Sequence, residues 1–478
     1  MARSRRTIVE KIWAGHLVDQ AGADAGRGDL LEVDRVLLHE RQLGIVDRVG
    51  LGGTPIALRG GVVAWVDQQL PTTPRGDVSL EQAEGSWRGA MSAQVLATLD
   101  RLEATSERLD IPVFGPGDPR GGVLNVVGPE QGMIHPGALV VGTDEHMATL
   151  GAFGALALPI DDGELAEVVR SGVVGRERPA VVRVAVVGGR SEVNAKDLAL
   201  WMLRRLGPGA AAGAVIELTG PAIRSLPMDG RMTLCNLAAE SGAVTALVEP
   251  DRATFADLHG RPFAPPAISW AETIGRWSQV RSDPGAAVDA EVLLHAADIR
   301  AHTTWGVHAW QSAALDGVVP APDLRDPVRR RLDEEALHDQ GLQPGTPFCQ
   351  IGVDHVFVGS CANARLSDLR AAADVLRGQR VTVPTWVVPG SETVAREAER
   401  EGLHRVLRDA GAEWRAPGCS LCIGANGDAT RPGARLASTA NRPRRGMVGP
   451  AARVHVMSPE SAAAAALTGR LTDPRALG

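Results

Sequence analysis

The run HVFVGSCANARLSDLRAAADVLRG, residues 355–378, decides the fold class. HVFVGS (355–360) is short, β-branched and closed by Gly-Ser, which reads as a buried strand. Beyond it, Leu366, Leu369, Ala373 and Leu376 fall at helical spacing, and Gly378 stops the helix. A strand that turns straight into a helix is half of a parallel βαβ unit. The pattern recurs on both sides. Downstream, VTVPTWVV (381–388) reads as a strand, and Pro389-Gly390-Ser391 opens a helix over 392–401. Upstream, VVRVAVVGG (181–189) reads as a strand, followed by a helix over 195–205 that Gly207 ends. The fold class is therefore α/β with mostly parallel sheets. RERPA (176–180) reads as a boundary loop, and 306–350, mixed in charge and rich in turns, as a connecting region. Limits near 177 and 320 give three units, 1–177, 178–320 and 321–478.

Composition agrees. The chain has 478 residues, enough for about three domains of ordinary size. Tyrosine is absent and only 6 phenylalanines occur, so the core must be built from Ala, Val and Leu. A net charge of -7 argues against a nucleic-acid partner, which wants a basic field. No window of about 20 residues is continuously apolar, so no membrane span is expected. Glu10, Lys11 and Asp19 stand where a signal peptide needs an apolar run, which reads as a cytoplasmic protein.

Five cysteines are too few for a disulfide scaffold. Cys361 ends the strand 355–360, at the edge where open α/β sheets bind ligands. Cys419 and Cys422 lie in Pro417-Gly418-Cys419-Ser420-Leu421-Cys422, where a tight turn presents two thiols three residues apart. Taken alone, that pair fits a zinc knuckle or a redox pair, and Cys361 fits a small buried residue. A structural zinc wants four ligands, which Cys235 or Cys349 would have to complete. Three thiolates suit an iron–sulfur cluster with one iron left open, a Lewis acid for a hydroxyl or carboxylate.

Five segments together resemble the aconitase superfamily, and within it the large-subunit family of 3-isopropylmalate dehydratases. VFVGSCANARLSDLRAAADVLRG resembles that family's GSCTNSR strand–turn–helix, and EWRAPGCSLCIGANGD its second cluster segment. GRMTLCNLAAESGAVTALVEPD resembles its central TICNM-type motif, and GPEQGMIHPGALVVGTDEHMATLGAFGALA its GDSHT segment. STANRPRRGMVGPAARVHVMSPESAAAAALTG resembles its Asn-Arg segment and closing helix. The resemblance implies three α/β/α domains around one [4Fe-4S] cluster held by Cys361, Cys419 and Cys422. It makes Cys235 a buried neighbour and leaves Cys349 as core. It places Asn236, Glu240, Asn441 and Arg442 beside substrate and cluster, the guanidinium suiting a carboxylate. It places Asp144 and His146 in the acid apparatus, with Glu145 between them, and matches Asp67 to the Asp of a DHN motif.

The departures are specific. Gln68 and Asn125 stand where the family has His, Asn125 in a strand resembling IVHVV. Glu145 replaces the Ser of GDSHT, Met147 the Thr, and Met447 an Arg. Gln and Asn cannot act as acids, and Met cannot pair with a carboxylate, although Arg444 and Arg445 lie close by in sequence. The cluster machinery is kept and the substrate machinery partly replaced. The family's swivelling domain, which carries the Ser base in single-chain relatives, has no counterpart in this sequence, so a separate small subunit is the expected partner. The expectation is a cluster-dependent hydro-lyase or isomerase acting on a small hydroxy acid. The alternatives are a different hydration or lyase step in specialised metabolism, or a non-catalytic cluster-binding protein.

Overall fold

The computed structural model describes residues 5–20, 28–51, 58, 61–70, 72–74, 93–188, 194–424 and 426–477. Three parallel sheets organise them. The first has the order Val113–Phe114, Val62–Trp65, Arg35–His39, Leu139–Gly142, Leu156–Pro159. The second runs Thr245–Val248, Val215–Thr219, Val181–Val187, Ala290–His295. The third runs Glu413–Trp414, Thr385–Val387, His355–Val358, Arg435–Ser438, Arg453–Val456. Leu17–Asp19, Asp29–Glu32 and Val173–Arg176 form a small antiparallel sheet, and His302–Thr304 pairs with Ser312–Ala314. The α/β reading with mostly parallel sheets is what the chain adopts.

In the first and third sheets the chain order reverses between two inner strands. A crevice opens outside the carboxyl ends of such a pair. In the first sheet the reversal lies between 35–39 and 139–142, and in the third between 355–358 and 435–438. Side chains that follow these four strands are therefore brought together.

The expected elements at 195–205, 355–360, 366–378 and 392–401 appear as Ala195–Leu206, His355–Val358, Leu366–Leu376 and Glu392–Arg400. The strand at 181–189 is Val181–Val187, and Gly189 lies outside the described residues, as does Pro71. Three readings need correction. The strand expected at 381–388 is confined to Thr385–Val387, because Val381 and Thr382 donate their N–H groups to Ala410 and Ala466 instead, and Pro384 has none to give. Asn125 lies on a helix, Leu124–Glu130, not a strand. The Asp67 carboxylate caps this helix by accepting from the Leu124 N–H at 2.9 Å, a tertiary contact that overrides a β-branched sequence. The stretch 306–350 contains the helix Pro327–Gln340, capped by Asp326 and started by a proline.

The core is as aliphatic as the composition demands. In the helix Pro459–Thr468 the run Ala462–Ala466 is fully buried, and the helix packs on Leu366–Leu376 and on strand His355–Val358. Side chains this small let backbones approach closely.

Candidate active site

His39 and Glu40 leave the end of strand Arg35–His39, Asp67 follows strand Val62–Trp65, and Asp144 follows strand Leu139–Gly142. His39 is 2% exposed and spans the two aspartates, with Nδ1 2.7 Å from Asp67 Oδ1 and Nε2 2.9 Å from Asp144 Oδ2. Burial disfavours its charge, but Asp67 and Asp144 outweigh burial and hold the imidazolium well above its ordinary range. Glu40 accepts the backbone N–H groups of Asp67, Gln68 and Gln69 at 3.3, 3.0 and 2.6 Å, which shapes the 67–69 turn. Its own carboxyl is raised to about 7 by burial and by the Asp67 charge.

From Asp144 the network crosses to the second and third sheets. Asp144 Oδ1 accepts from the His146 N–H at 2.6 Å, and His146 Nε2 lies 3.2 Å from Glu240 Oε1. Arg442 Nε donates to the same Glu240 oxygen at 3.0 Å, and its other end meets Glu145. Burial pushes the His146 imidazolium down, but the Cys361 sulfur where it is ionised, together with Asp144 and Glu240, raises it above its ordinary range. Glu240 is held ionised by His146 and Arg442 against its burial. Arg442 therefore serves two carboxylates, the half-buried Glu240 and Glu145, which is 70% exposed at the rim.

The three cysteines meet this network. Cys361 follows strand His355–Val358, and Asn441 follows Arg435–Ser438, the reversal pair of the third sheet. Asn236, near the end of helix Met228–Ala238, and Asn441 each place Nδ2 3.3 Å from Cys361 Sγ. The Asn441 amide also donates to Asn236 Oδ1 at 3.1 Å, and the Cys422 thiol points to Asn441 Oδ1 at 3.8 Å. The Cys419 N–H donates to the Asp67 carbonyl, which ties the CxxC turn to the first sheet. Every site residue expected from sequence thus falls in one connected region.

The donor set fits an iron–sulfur cluster better than a single ion. A structural zinc takes four protein ligands, one more than these three thiols. Neither Cys235 nor Cys349 joins them by any hydrogen bond among the described residues. Cys235 is buried and its thiol is pushed up by burial. Cys349 was expected in the core and is exposed, because Phe348 takes the inward face of its turn.

His39, Glu40 and Asp428 escaped the sequence reading. His39-Glu40 closes the strand RVLLH, so the strand-end rule that singled out Cys361 also applies to it. Asp428 accepts from Thr72 Oγ1 at 2.5 Å, Ser420 Oγ at 2.8 Å and Arg415 Nη2 at 3.2 Å, which fastens the CxxC turn to residue 72.

The substituted positions sit as follows. Asn125 is fully buried, and neither its Nδ2 nor its Oδ1 has a partner. Met447 is half-buried, and its carbonyl approaches Gly424 where a Cβ would stand 2.5 Å away, so Gly424 at φ +63° is required there. Arg445 is engaged by Asp339 at 2.9 Å.

Comparison with known proteins gives one consistent result. The family model for aconitases (aconitate hydratase) matches residues 10–469. The 3-isopropylmalate dehydratase large subunit of Anaeromyxobacter dehalogenans is 43% identical over 98% of this chain and 97% of its own length. The protein named 3-isopropylmalate dehydratase large subunit 1 in Bradyrhizobium diazoefficiens is 41% identical over 99% of this chain and 97% of its own. The large subunit from Roseiflexus castenholzii is 40% identical over 98% and 99%.

Proposed function

The chain belongs to the aconitase family, and from that premise we propose that it is the large subunit of an iron–sulfur hydro-lyase that dehydrates and rehydrates a small hydroxy acid. The carrying observation is one connected network, partly buried, that joins His39, Asp144, His146, Glu240 and Arg442 and meets Asn236 and Asn441 at Cys361. The division into units 1–177, 178–320 and 321–478 belongs to the same reading; its support is that each parallel sheet falls inside one span.

In this reading Cys361, Cys419 and Cys422 hold a [4Fe-4S] cluster. Such a cluster supplies a Lewis-acidic iron for the hydroxyl and its neighbouring carboxylate. The chain's own residues do the rest. His146 holds a proton between Asp144 and Glu240 and delivers it to the departing oxygen. Asp67 fixes His39, and His39 fixes Asp144, so His146 keeps one orientation. Arg442 orients a substrate carboxylate, and Asn236 and Asn441 support the Cys361 sulfur through their amides. The base for the α-proton is assigned to a separate small subunit, because the relatives that this chain matches are named large subunits. The substrate is a small molecule. Among the described residues no helix is long and apolar enough to cross a membrane.

One observation favours a substrate altered from 3-isopropylmalate. Arg442 is bonded to Glu145, a carboxylate where the family pattern has Ser, and Met447 offers no second cation. A carboxylate entering here meets a guanidinium already paired twice. Anaerobic reconstitution of the full chain tests the cluster, with roughly four irons per chain expected. Cys361→Ala, Cys419→Ala and Cys422→Ala should each bleach the protein, and Cys349→Ala should not. Stoichiometric zinc without iron would sink the assignment. Dehydratase activity should appear when a small-subunit partner is added; full activity of the purified large chain alone would refute the split site.

A further inference from the structure

Lys196 is the second residue of helix Ala195–Leu206 and is fully buried. The first turn of a helix is a poor place for a cation, because the helix dipole is positive there. Something outside the helix must hold it. Its Nζ lies 3.0 Å from Asn363 Oδ1, 2.9 Å from the Thr439 carbonyl and 2.8 Å from the Ala440 carbonyl. Three acceptors match the three donors of an ammonium, whereas a neutral amine has only two hydrogens to give. Each partner is uncharged. Among the described residues no carboxylate is in ion-pair contact with Nζ. Asp368 is reached only through Asn363, which donates to it at 2.9 Å. An ammonium buried without a counter-ion is costly.

The missing negative charge lies on the other side of the same two loops. Asn363 is two residues from Cys361, and Thr439-Ala440 lead into Asn441, whose amide meets the Cys361 sulfur. The charged and titratable groups that act on Lys196 are Asp368, Cys361, Cys422 and Arg365, and all but Arg365 favour its charge. Burial opposes them and lowers the ammonium to about 7 when the thiols are bare.

We propose that Lys196 is the buried counter-cation of the three-cysteine site, balancing the thiolates and the cluster they hold while it fixes the Cys361 and Asn441 loops. It acts through these groups and not on substrate, so it is a positioning residue. The inference rests on the cluster reading above.

The test uses the full chain, reconstituted anaerobically with iron and sulfide. Lys196→Met removes the charge and keeps the stem, and Lys196→Arg keeps the charge. A nearby cation favours the electron-richer cluster, so Lys196→Met should shift the cluster's midpoint potential negative in an EPR-monitored titration. It should also release iron to a chelator several-fold faster. Lys196→Arg should stay close to the parent in both. The metal-free Lys196→Met chain should lose less melting temperature than the loaded one, because the three hydrogen bonds are lost in both and the counter-charge to the cluster only in the loaded chain. An unchanged potential and unchanged iron release would overturn the proposal. So would a metal-free melting point lowered as much as the loaded one, or failure of both Lys196→Met and Lys196→Gln to fold before iron is added; either result assigns Lys196 a purely structural role. If the parent chain itself takes up no iron, the cluster reading fails instead, and the two failures are told apart.

Discussion

Arg442 and Asn125 show at single-residue scale how the site departs from its relatives. Arg442 is bonded to Glu145 at one end and Glu240 at the other. Glu145 is largely exposed, so its pairing is screened and is worth about 1 kcal/mol at most. Glu145→Ser should release the guanidinium and lower KM for 3-isopropylmalate by about fivefold, the equivalent of that energy. Steady-state kinetics of the two-subunit enzyme check this, and an unchanged KM would show that Arg442 does not receive the substrate. Asn125 is the opposite case, a buried amide with neither end paired. An unsatisfied buried polar group costs about 1–3 kcal/mol, and an apolar group of similar shape does not. Asn125→Leu should therefore raise the melting temperature of the substrate-free chain. A lower melting temperature would mean that ordered water already satisfies the amide.

Among the elements, the helix Leu124–Glu130 shows what was legible in the sequence and what was not. Its residues VLNVV carry a strand's composition, and its start is fixed by tertiary partners, the Asp67 carboxylate 57 positions upstream and the Gly390 carbonyl. The strand–turn–helix at 355–376 needed no such help, because its pattern is local. The cysteines were legible for the same reason: each lies at a turn whose residues spell it out. His39 and Asp428 were not, since His39 is placed by Asp67, 28 residues away, and Asp428 reaches Thr72, 356 residues away. The far end of the 124–130 helix has a further consequence. Glu130 accepts from the Ser391 hydroxyl at 2.9 Å and leaves its other oxygen unpaired and buried. Burial raises its carboxyl from 4.5 to about 7, with only partial relief from Ser391 and Arg261. The folded state then binds the proton more tightly than the unfolded chain. Its contribution to stability is full below pH 4.5, falls as pH rises through 7, and is gone above that; the span is on the order of 3 kcal/mol. Glu130→Gln keeps an acceptor for Ser391 and cannot ionise. Denaturant melts from pH 4 to 8 should be flatter for this variant by about that amount, and parallel curves would refute the buried-acid account.

For the whole molecule, the decisive feature is that each sheet sends residues to one place. The first sheet supplies His39, Asp67 and Asp144. The helix Met228–Ala238, beside the second sheet, brings Asn236, with Glu240 just beyond its end. The third supplies Cys361, the CxxC turn and Asn441. Few of these contacts are apolar; they are hydrogen bonds and ion pairs converging on sulfur. In the metal-free chain the Cys361 and Cys419 thiols keep their protons, Cys361 chiefly through its bond with Cys422 and Cys419 chiefly through burial. A cluster must displace those protons, and it binds only where all three cysteines are assembled, which is the folded state. Anything that binds only the folded state stabilises it, by about 4 kcal/mol when the free ligand is a thousandfold above its Kd. For a chain of this length that corresponds to a few degrees in Tm. The metal-free chain should therefore melt earlier and over a broader range than the loaded one, with protease cutting first in the 417–428 turn, which would keep its Asp428 and Asp67 contacts and lose the one the cluster adds. Loading should merge the melt into one sharper, later transition, because the cluster joins the 355–365 loop to the CxxC turn. Cys361→Ala should abolish the difference, and Cys349→Ala should retain it. Scanning calorimetry of the three proteins, each with and without iron, reads this directly. Identical curves with and without iron would mean that the three sheets are held together by their packing alone, and that the site adds chemistry without adding cohesion.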